Sequence, residues 1–522
     1  MVLLSALFGA AASAWALFAG RYLPSIDLSN HLALISALAH GGETGATDYI
    51  ERVFAPSPYL LFYAVTALFG QLVPVDVAAK LAFALSGSLL SLSAACLADA
   101  TGRDPRLGAL APLALFSLSF GWGFASFVFS TPLFFFALAA HERLVAPAED
   151  LTRREGLMAL GAYALWVMLV FNGHGLLALA LAFLVATRAT SLSIAGLVRT
   201  RSRRALRPFA LAAVGALPAA ISMVPLIIGL ERNPWREAGT RIEDAKLFIF
   251  EPLSRHLEGI GGNLLERGSP NHWLVMWGAV AWFGLALFLS IVAGALRREA
   301  PPNDRRSLGL ETYALGLLVI YLAGPISVGA PVSAWLVYPR FGVLAGVALS
   351  ILPRLSLRSW FGWLLIPAAF VLVGANAELN ARHIRNFSNL AAHYDPVRRA
   401  IPPKTRVLAL TVVPQGDFTN QHPALGSLYF YHMVDGASVT AYLFQMPVLP
   451  ARVRVDHAPR APFWKTPHLY EPRVHGVDFD YLVLRGPEIV ERTRRAQLHD
   501  LVTEIDGWFV FKTKNPTPRP KD

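Results

Sequence analysis

The sequence predicts a polytopic α-helical membrane protein of about 11 spans plus one re-entrant or interfacial segment, followed by a small soluble α/β domain. Three observations predict it. Of 522 residues, 54% are hydrophobic and only 16% charged, more apolar surface than an ordinary water-soluble globule can hide. Apolar runs near the ~20 residues needed to cross a hydrocarbon core alternate with short arginine-bearing loops. Hydropathy then falls sharply after Glu378, where charged residues, prolines and histidines gather. The chain therefore divides into a membrane domain, 1–377, and a C-terminal domain, 378–522, a normal size for a small fold.

Candidate spans cover roughly 1–19, 77–99, 107–122, 125–145, 157–171, 174–190, 208–230, 273–296, 310–328, 341–353 and 359–377. Residues 1–19 lack the basic leader of a signal peptide and read as a retained span. The run 56–73 decides the parity. With a cytoplasmic N-terminus and 56–73 only dipping into the membrane, the clusters Arg103/Arg106, Arg143/Arg153/Arg154, Arg199 to Arg207, Arg297 to Arg306 and Arg354/Arg358 all fall in the cytoplasm. Pro56, Pro58 and Pro74 suit such a broken run. An outside N-terminus with 56–73 crossing satisfies the same arginines, but the segment 20–55 is net acidic, which suits an outside loop. In both arrangements the C-terminal domain lies opposite the cytoplasm, as expected of a multi-pass inner-membrane protein with a periplasmic domain.

Within the C-terminal domain, 406–413, 437–444, 480–485 and 507–514 read as strands and 486–503 as a helix. The net charge of +11 is accounted for by cytoplasmic loops on anionic headgroups, with no nucleic acid required. Cys96 is the single cysteine, which excludes an intramolecular disulfide and a cysteine metal site. No Walker A sequence, nucleophile elbow, HExxH or dinucleotide fingerprint is present.

The chemistry-bearing residues lie on the expected outer face. Asp27 and His31 stand four apart, so they share one side of a helix over SNHLALISALAH, with Asp27 at its start. Asp27 also fits a plain helix cap. On an amphipathic interfacial helix the pair can meet a lipid-borne substrate at the depth of its phosphate. Asp48 and Glu51 read as surface charges. His174 lies between two spans beside Asn172, where packing and function are both open. His422, His432, His457, His468 and His475 are too widely spaced for zinc and read as surface or acceptor-binding groups.

One span, an outside loop opening on an acid, a proline-aromatic approach to the next apolar run, many spans and an outer soluble domain resemble the GT-C superfamily of polyprenyl-phosphate-sugar-dependent glycosyltransferases. The residues that carry the resemblance are Asp27 and His31 in PSIDLSNHLA, PSPYLLFY, the arginine of YPRF at 338–341, and the VLAL, DYLVL and GWFVFK pattern. The resemblance implies that Asp27 is a catalytic base or metal ligand, with a divalent metal as the possible cofactor. It implies a polyprenyl-phosphate-linked sugar as donor and a glycan, lipid or protein as acceptor. A single Asp stands where well-known members carry Asp-Glu or Asp-x-Asp. Arg340, beside Tyr338, is the candidate for the departing phosphate, because a guanidinium fork matches phosphate oxygens. Arg232, Trp235 and Arg236, with Arg241, are further candidates for phosphate or sugar in the loop 231–272. A transporter or lipid flippase and a non-catalytic assembly protein are the competing readings.

Overall fold

The computed structural model describes the chain except for residues 42–47, 146–151, 232–247, 266–271, 298–307, 330–333, 356, 358–361, 412–422, 445, 447, 463–465 and 520–522. Its membrane part runs through α1 (Val2–Leu17), α2 (Leu28–Ala39), α3 (Leu60–Gly70), α4 (Val75–Ala100), α5 (Leu118–Trp122), α6 (Ala125–Val145) and α7 (Arg153–Gly173). It continues through α8 (Gly175–Thr200), α9 (Arg207–Glu231), α10 (Leu253–Leu264), α11 (His272–Arg297), α12 (Gly309–Ala323), α13 (Val337–Ser350) and α14 (Gly362–Ala391). Among the described residues seven helical stretches are long and apolar enough to cross a membrane: α4, α6, α7, α8, α11, α14 and Arg203–Pro225. Helices α1, α12 and α13 are apolar but only 14 to 16 residues long. At 1.5 Å per residue they reach about 21 to 24 Å, short of a ~30 Å core. α3, with 11 residues, is about 16 Å long and agrees in length with a segment that dips in.

One expected span takes another form. Within 107–122 the chain runs as 3₁₀ helix over Pro105–Phe116 and then as the short α5. Pro112 lacks the N–H that an α-helix needs there. Gly108 brings the segment against α4 so closely that a Cβ would lie 2.8 Å from the Ala95 nitrogen. α1 packs between α4, α14 and this 3₁₀ segment, while α12 packs on α8 and α13.

The expected division at 377/378 falls inside α14, which runs unbroken for 30 residues. Beyond α14 lie α15 (Asp395–Arg399), β5 (Arg406–Thr411), α16 (Tyr431–Gly436), β6 (Val439–Thr440), β7 (Ala451–Val453), β8 (Tyr481–Arg485), α17 (Pro487–Ala496), β9 (His499–Ile505) and β10 (Trp508–Thr513). The five-stranded sheet has the order β6-β5-β8-β10-β9, with β5 parallel to β6 and β8, and β10 antiparallel to β8 and β9. Alternation divides its side chains between two cores. Leu408, Leu410, Leu482, Leu484 and Phe511 pack with Ile489 and Val490 of α17, while Val407, Ala409, Val483 and Val510 face the main core. Residues 486–503 are not one helix. α17 stops at Gln497 in the left-handed region (φ 58), and the charged edge strand β9 follows.

The first outer segment is built into this domain. Its β1 (Ile50–Arg52) pairs antiparallel with β7, and Ile50 faces Val453. Arg21 bridges to Asp435 at 2.6 Å, and the Tyr22 hydroxyl donates to Asp395. The expected amphipathic, interfacial character of α2 is corrected: Leu28 through Leu38 are all buried, between the C-terminal domain on one side and α3 and α4 on the other. Segment 20–55 and the C-terminal domain thus occupy the same side of the molecule. His432, expected at the surface, is also buried and hydrogen-bonded to the Tyr394 hydroxyl at 3.0 Å.

Candidate functional site

Asp27 sits at the N-cap position of α2, yet its side chain makes no capping hydrogen bond. Its place is fixed through the backbone. The Ile26 and Asp27 N–H groups donate to the carbonyls of Gly121 and Trp122, at 2.9 and 3.1 Å. Gly123 makes that junction possible, with φ +85 and no side chain between it and Asp27. The carboxylate is thereby held beside the start of α6 without being consumed as a cap. Burial lifts its pKa to about 6, against the pull of the Arg340 charge.

Arg340 approaches from the first turn of α13 and is buried. Its Nε donates to the Leu336 carbonyl at 3.1 Å and a terminal nitrogen to the Trp335 carbonyl at 2.6 Å. The guanidinium carbon lies 3.4 Å from the centre of the Phe124 ring, on its face. Two of its five N–H donors are committed to those carbonyls. Asp27 and Arg340, on elements more than 300 residues apart in sequence, converge on residues 122–124: the Asp27 N–H donates to the Trp122 carbonyl and the Arg340 guanidinium covers the Phe124 ring.

His31 lies one turn beyond Asp27, so the predicted shared face holds. Its Nδ1 is hydrogen-bonded to the Tyr63 hydroxyl at 2.6 Å, and its ring packs against Phe444 of the C-terminal domain at 5.0 Å. Burial pushes its pKa down to about 4, so the imidazole is neutral near pH 7. His174 caps α8: its Nδ1 accepts the Leu176 N–H at 3.2 Å, which leaves the ring proton on Nε2. Its ring is held between Tyr59 and Phe127, at 5.3 and 5.2 Å. The Asn172 side chain accepts the Ser57 N–H at 3.1 Å and so ties PSPYLLFY to this corner.

Tyr338 is not part of the arrangement. Two residues from Arg340 on a helix, it faces elsewhere, donating to Glu251 at 2.6 Å and stacking on His256 with centroids 3.7 Å apart. Arg232, Trp235, Arg236 and Arg241 lie outside the described residues. Sequence reading missed Tyr59, Tyr63, Trp122, Phe124 and Trp335. The local signals were the glycine of GWGF at 121–124 and the tyrosines of PSPYLLFY, which were read as a membrane approach and not as site residues.

Among the described residues no three of His, Cys, Asp and Glu gather so as to hold a metal ion. Asp27 brings one carboxylate where a magnesium ion takes six oxygens, so the described donors alone fit a resident divalent ion poorly. What the arrangement provides is an uncapped carboxylate with a raised pKa and a buried guanidinium brought to the same turn, with buried histidines and aromatic rings nearby.

No family model and no curated protein sequence matches the chain. Solved structures do match. The chain is similar to ArnT from Cupriavidus metallidurans bound to undecaprenyl phosphate, at 16% identity and a TM-score of 0.54, over 98% of this chain and 99% of that one. Apo ArnT matches at 14% identity and a TM-score of 0.52, over 97% of each chain. The archaeal oligosaccharyltransferase AglB from Archaeoglobus fulgidus, in complex with an inhibitory peptide and a dolichol-phosphate, matches at 13% identity and a TM-score of 0.46, over 93% of this chain and 69% of that one. Over nearly its whole length, this chain shares the fold of ArnT.

Proposed function

We propose that this protein is a membrane glycosyltransferase that moves a sugar from a polyprenyl-phosphate donor to an acceptor at the extracytoplasmic face. The observation that carries the reading is the convergence of Asp27 and Arg340 on the turn at 122–124, Asp27 through the Trp122 carbonyl and Arg340 through the Phe124 ring. An acceptor hydroxyl attacks the anomeric carbon, and the bond from that carbon to the phosphate oxygen breaks with its electron pair on the phosphate. Arg340 neutralises the charge that develops there. Asp27, as carboxylate, takes the acceptor's proton. Attack opposite the leaving phosphate inverts the anomeric configuration. His31, one turn from Asp27, and His174 are both buried and in this reading hold the site by packing and not by proton transfer.

The lipid end of the donor has a place to go. On the helix of Arg340, Val343 and Val347 line an almost wholly apolar cavity of about 180 Å³, with Leu113, Met276 and Phe283 opposite. Arg340 does not line this cavity, which begins one turn further along the same helix face at Val343, within reach of an isoprenoid chain whose phosphate is held at Arg340.

Transfer from a panel of polyprenyl-phosphate sugars to glycan, lipid and peptide acceptors, followed by mass spectrometry, tests the reading. Asp27→Asn and Arg340→Ala are each expected to abolish transfer while the protein still inserts in the membrane. Transfer retained by Asp27→Asn would remove the base assignment.

A further inference from the structure

We propose that Trp122 and Trp335 form a carbohydrate subsite, the surface on which the sugar ring of the lipid-linked donor stacks. The proposal rests on the reading of Asp27 and Arg340 given above. Trp335 lies on β4 (Ala334–Trp335), the edge strand of a small sheet with β3 (Ser327–Val328) and β2 (Phe248–Ile249), and the residue is 54% exposed. It meets Trp122 edge-on, with centroids 5.0 Å apart and planes at 84°. Trp122 in turn lies within 11° of parallel to Phe124, at 6.3 Å. The face of Phe124 is taken by the Arg340 guanidinium. Two indoles at right angles thus make a corner, with the phosphate-binding cation at one end.

The base is tied to the same corner, because the Trp122 carbonyl accepts the Asp27 N–H. In a donor with its phosphate at Arg340 and its anomeric carbon facing an acceptor near Asp27, the sugar ring is the part that lies between them. The apolar C–H face of a pyranose suits an indole face, and its hydroxyls stay free for polar partners. Tryptophan supplies this area with few rotamers to lose.

An interfacial anchor is the competing role for an exposed tryptophan. Trp273 and Trp277, 48% and 61% exposed on the membrane helix α11, have the setting of such anchors. Trp335 differs: it stands on a strand, and its carbonyl accepts from Arg340 at 2.6 Å. Its position is therefore coupled to that of the phosphate-binding group.

The test titrates the full chain in lipid nanodiscs with two probes, undecaprenyl phosphate alone and undecaprenyl phosphate carrying a pyranose, drawn from a hexose and pentose panel. Trp335→Ala is expected to weaken binding of the sugar-bearing lipid about tenfold and to leave that of the bare lipid within about twofold, with Trp335→Phe recovering most of the loss. Equal loss for both probes assigns Trp335 to the lipid and overturns the proposal, as does no loss for either. Trp122→Leu is the second variant if Trp335→Ala does not fold, with the same split expected. Failure of the unaltered protein to bind bare undecaprenyl phosphate would instead overturn the phosphate reading of Arg340, a separate result of the same titration.

Discussion

Gly123 and Asp27 are packed so closely that a Cβ on Gly123 would lie 2.6 Å from the Asp27 amide nitrogen. The site therefore depends on a residue with no side chain of its own. Gly123→Ala meets both that contact and a left-handed backbone at φ +85. The expected result is a folded, inserted protein whose transfer rate falls about 100-fold, since small displacements of a reacting group have effects of that size. Rate and thermal unfolding measured on the same preparation check it. Loss of folding together with activity would show that the junction supports the whole first segment and not the carboxylate alone.

As the proposed base, Asp27 is expected to set the acid limb of the pH profile. A base works only as the carboxylate, and burial raises this carboxyl's pKa to about 6. Activity should therefore be full above that value and fall as pH drops through it, by about tenfold per unit well below. The sign is that of a required deprotonated group. A limb near 4, the ordinary aspartate range, would place Asp27 in open water and contradict the buried site.

Asn30 clasps the C-terminal domain to α2. Its side-chain N–H₂ donates to the Tyr442 carbonyl at 3.0 Å, and its oxygen accepts the Phe444 N–H at 3.1 Å. Between those contacts Tyr442 is held at φ +63, and Phe444 is delivered against His31. Asn30→Ala leaves a carbonyl and an N–H without these partners, a loss of about 1–3 kcal/mol. Faster hydrogen exchange at residues 441–444 and a lowered unfolding temperature are expected. Unchanged exchange there would show that the strap is held by other contacts.

The legible parts of this molecule were those with a period or a sign. Short continuous apolar runs over 406–411 and 481–485 marked two central strands buried on both faces, and the net acidic segment 20–55 placed itself with the C-terminal domain, to which the β1–β7 pairing joins it. Asp27 and His31 were legible because four residues make one helical turn. Tyr63 was not, since nothing local announces a partner 32 residues away on another helix. β9 was misread because its outward charges imitate a solvated helix face. Tyr338 was drawn into the site by adjacency, although residues two apart on a helix point in different directions.

Glu142 and Arg188 escaped notice for a related reason, since each lies near the end of an apolar run and resembles a loop charge. In the fold they form a buried pair, at 2.5 and 3.1 Å, with the Tyr313 hydroxyl donating to Glu142 at 3.0 Å and His141 hydrogen-bonded to that hydroxyl at 2.7 Å. Gly309 closes over the carboxylate, so that a Cβ there would lie 2.6 Å from it. Glu142→Gln removes the carboxylate that pairs with the Arg188 guanidinium and is expected to destabilise the bundle by about 3–5 kcal/mol. Glu142→Gln combined with Arg188→Met removes both charges and should recover most of that loss, because a buried pair contributes little net stability beyond an apolar replacement. Glu142 stands 17 residues along α6 from Ala125, about 26 Å from the end that faces Asp27. The double variant should accordingly keep its transfer activity. A folded double variant without activity would show that this network reaches the site, and would give the buried pair a role beyond holding α6, α8 and α12 together.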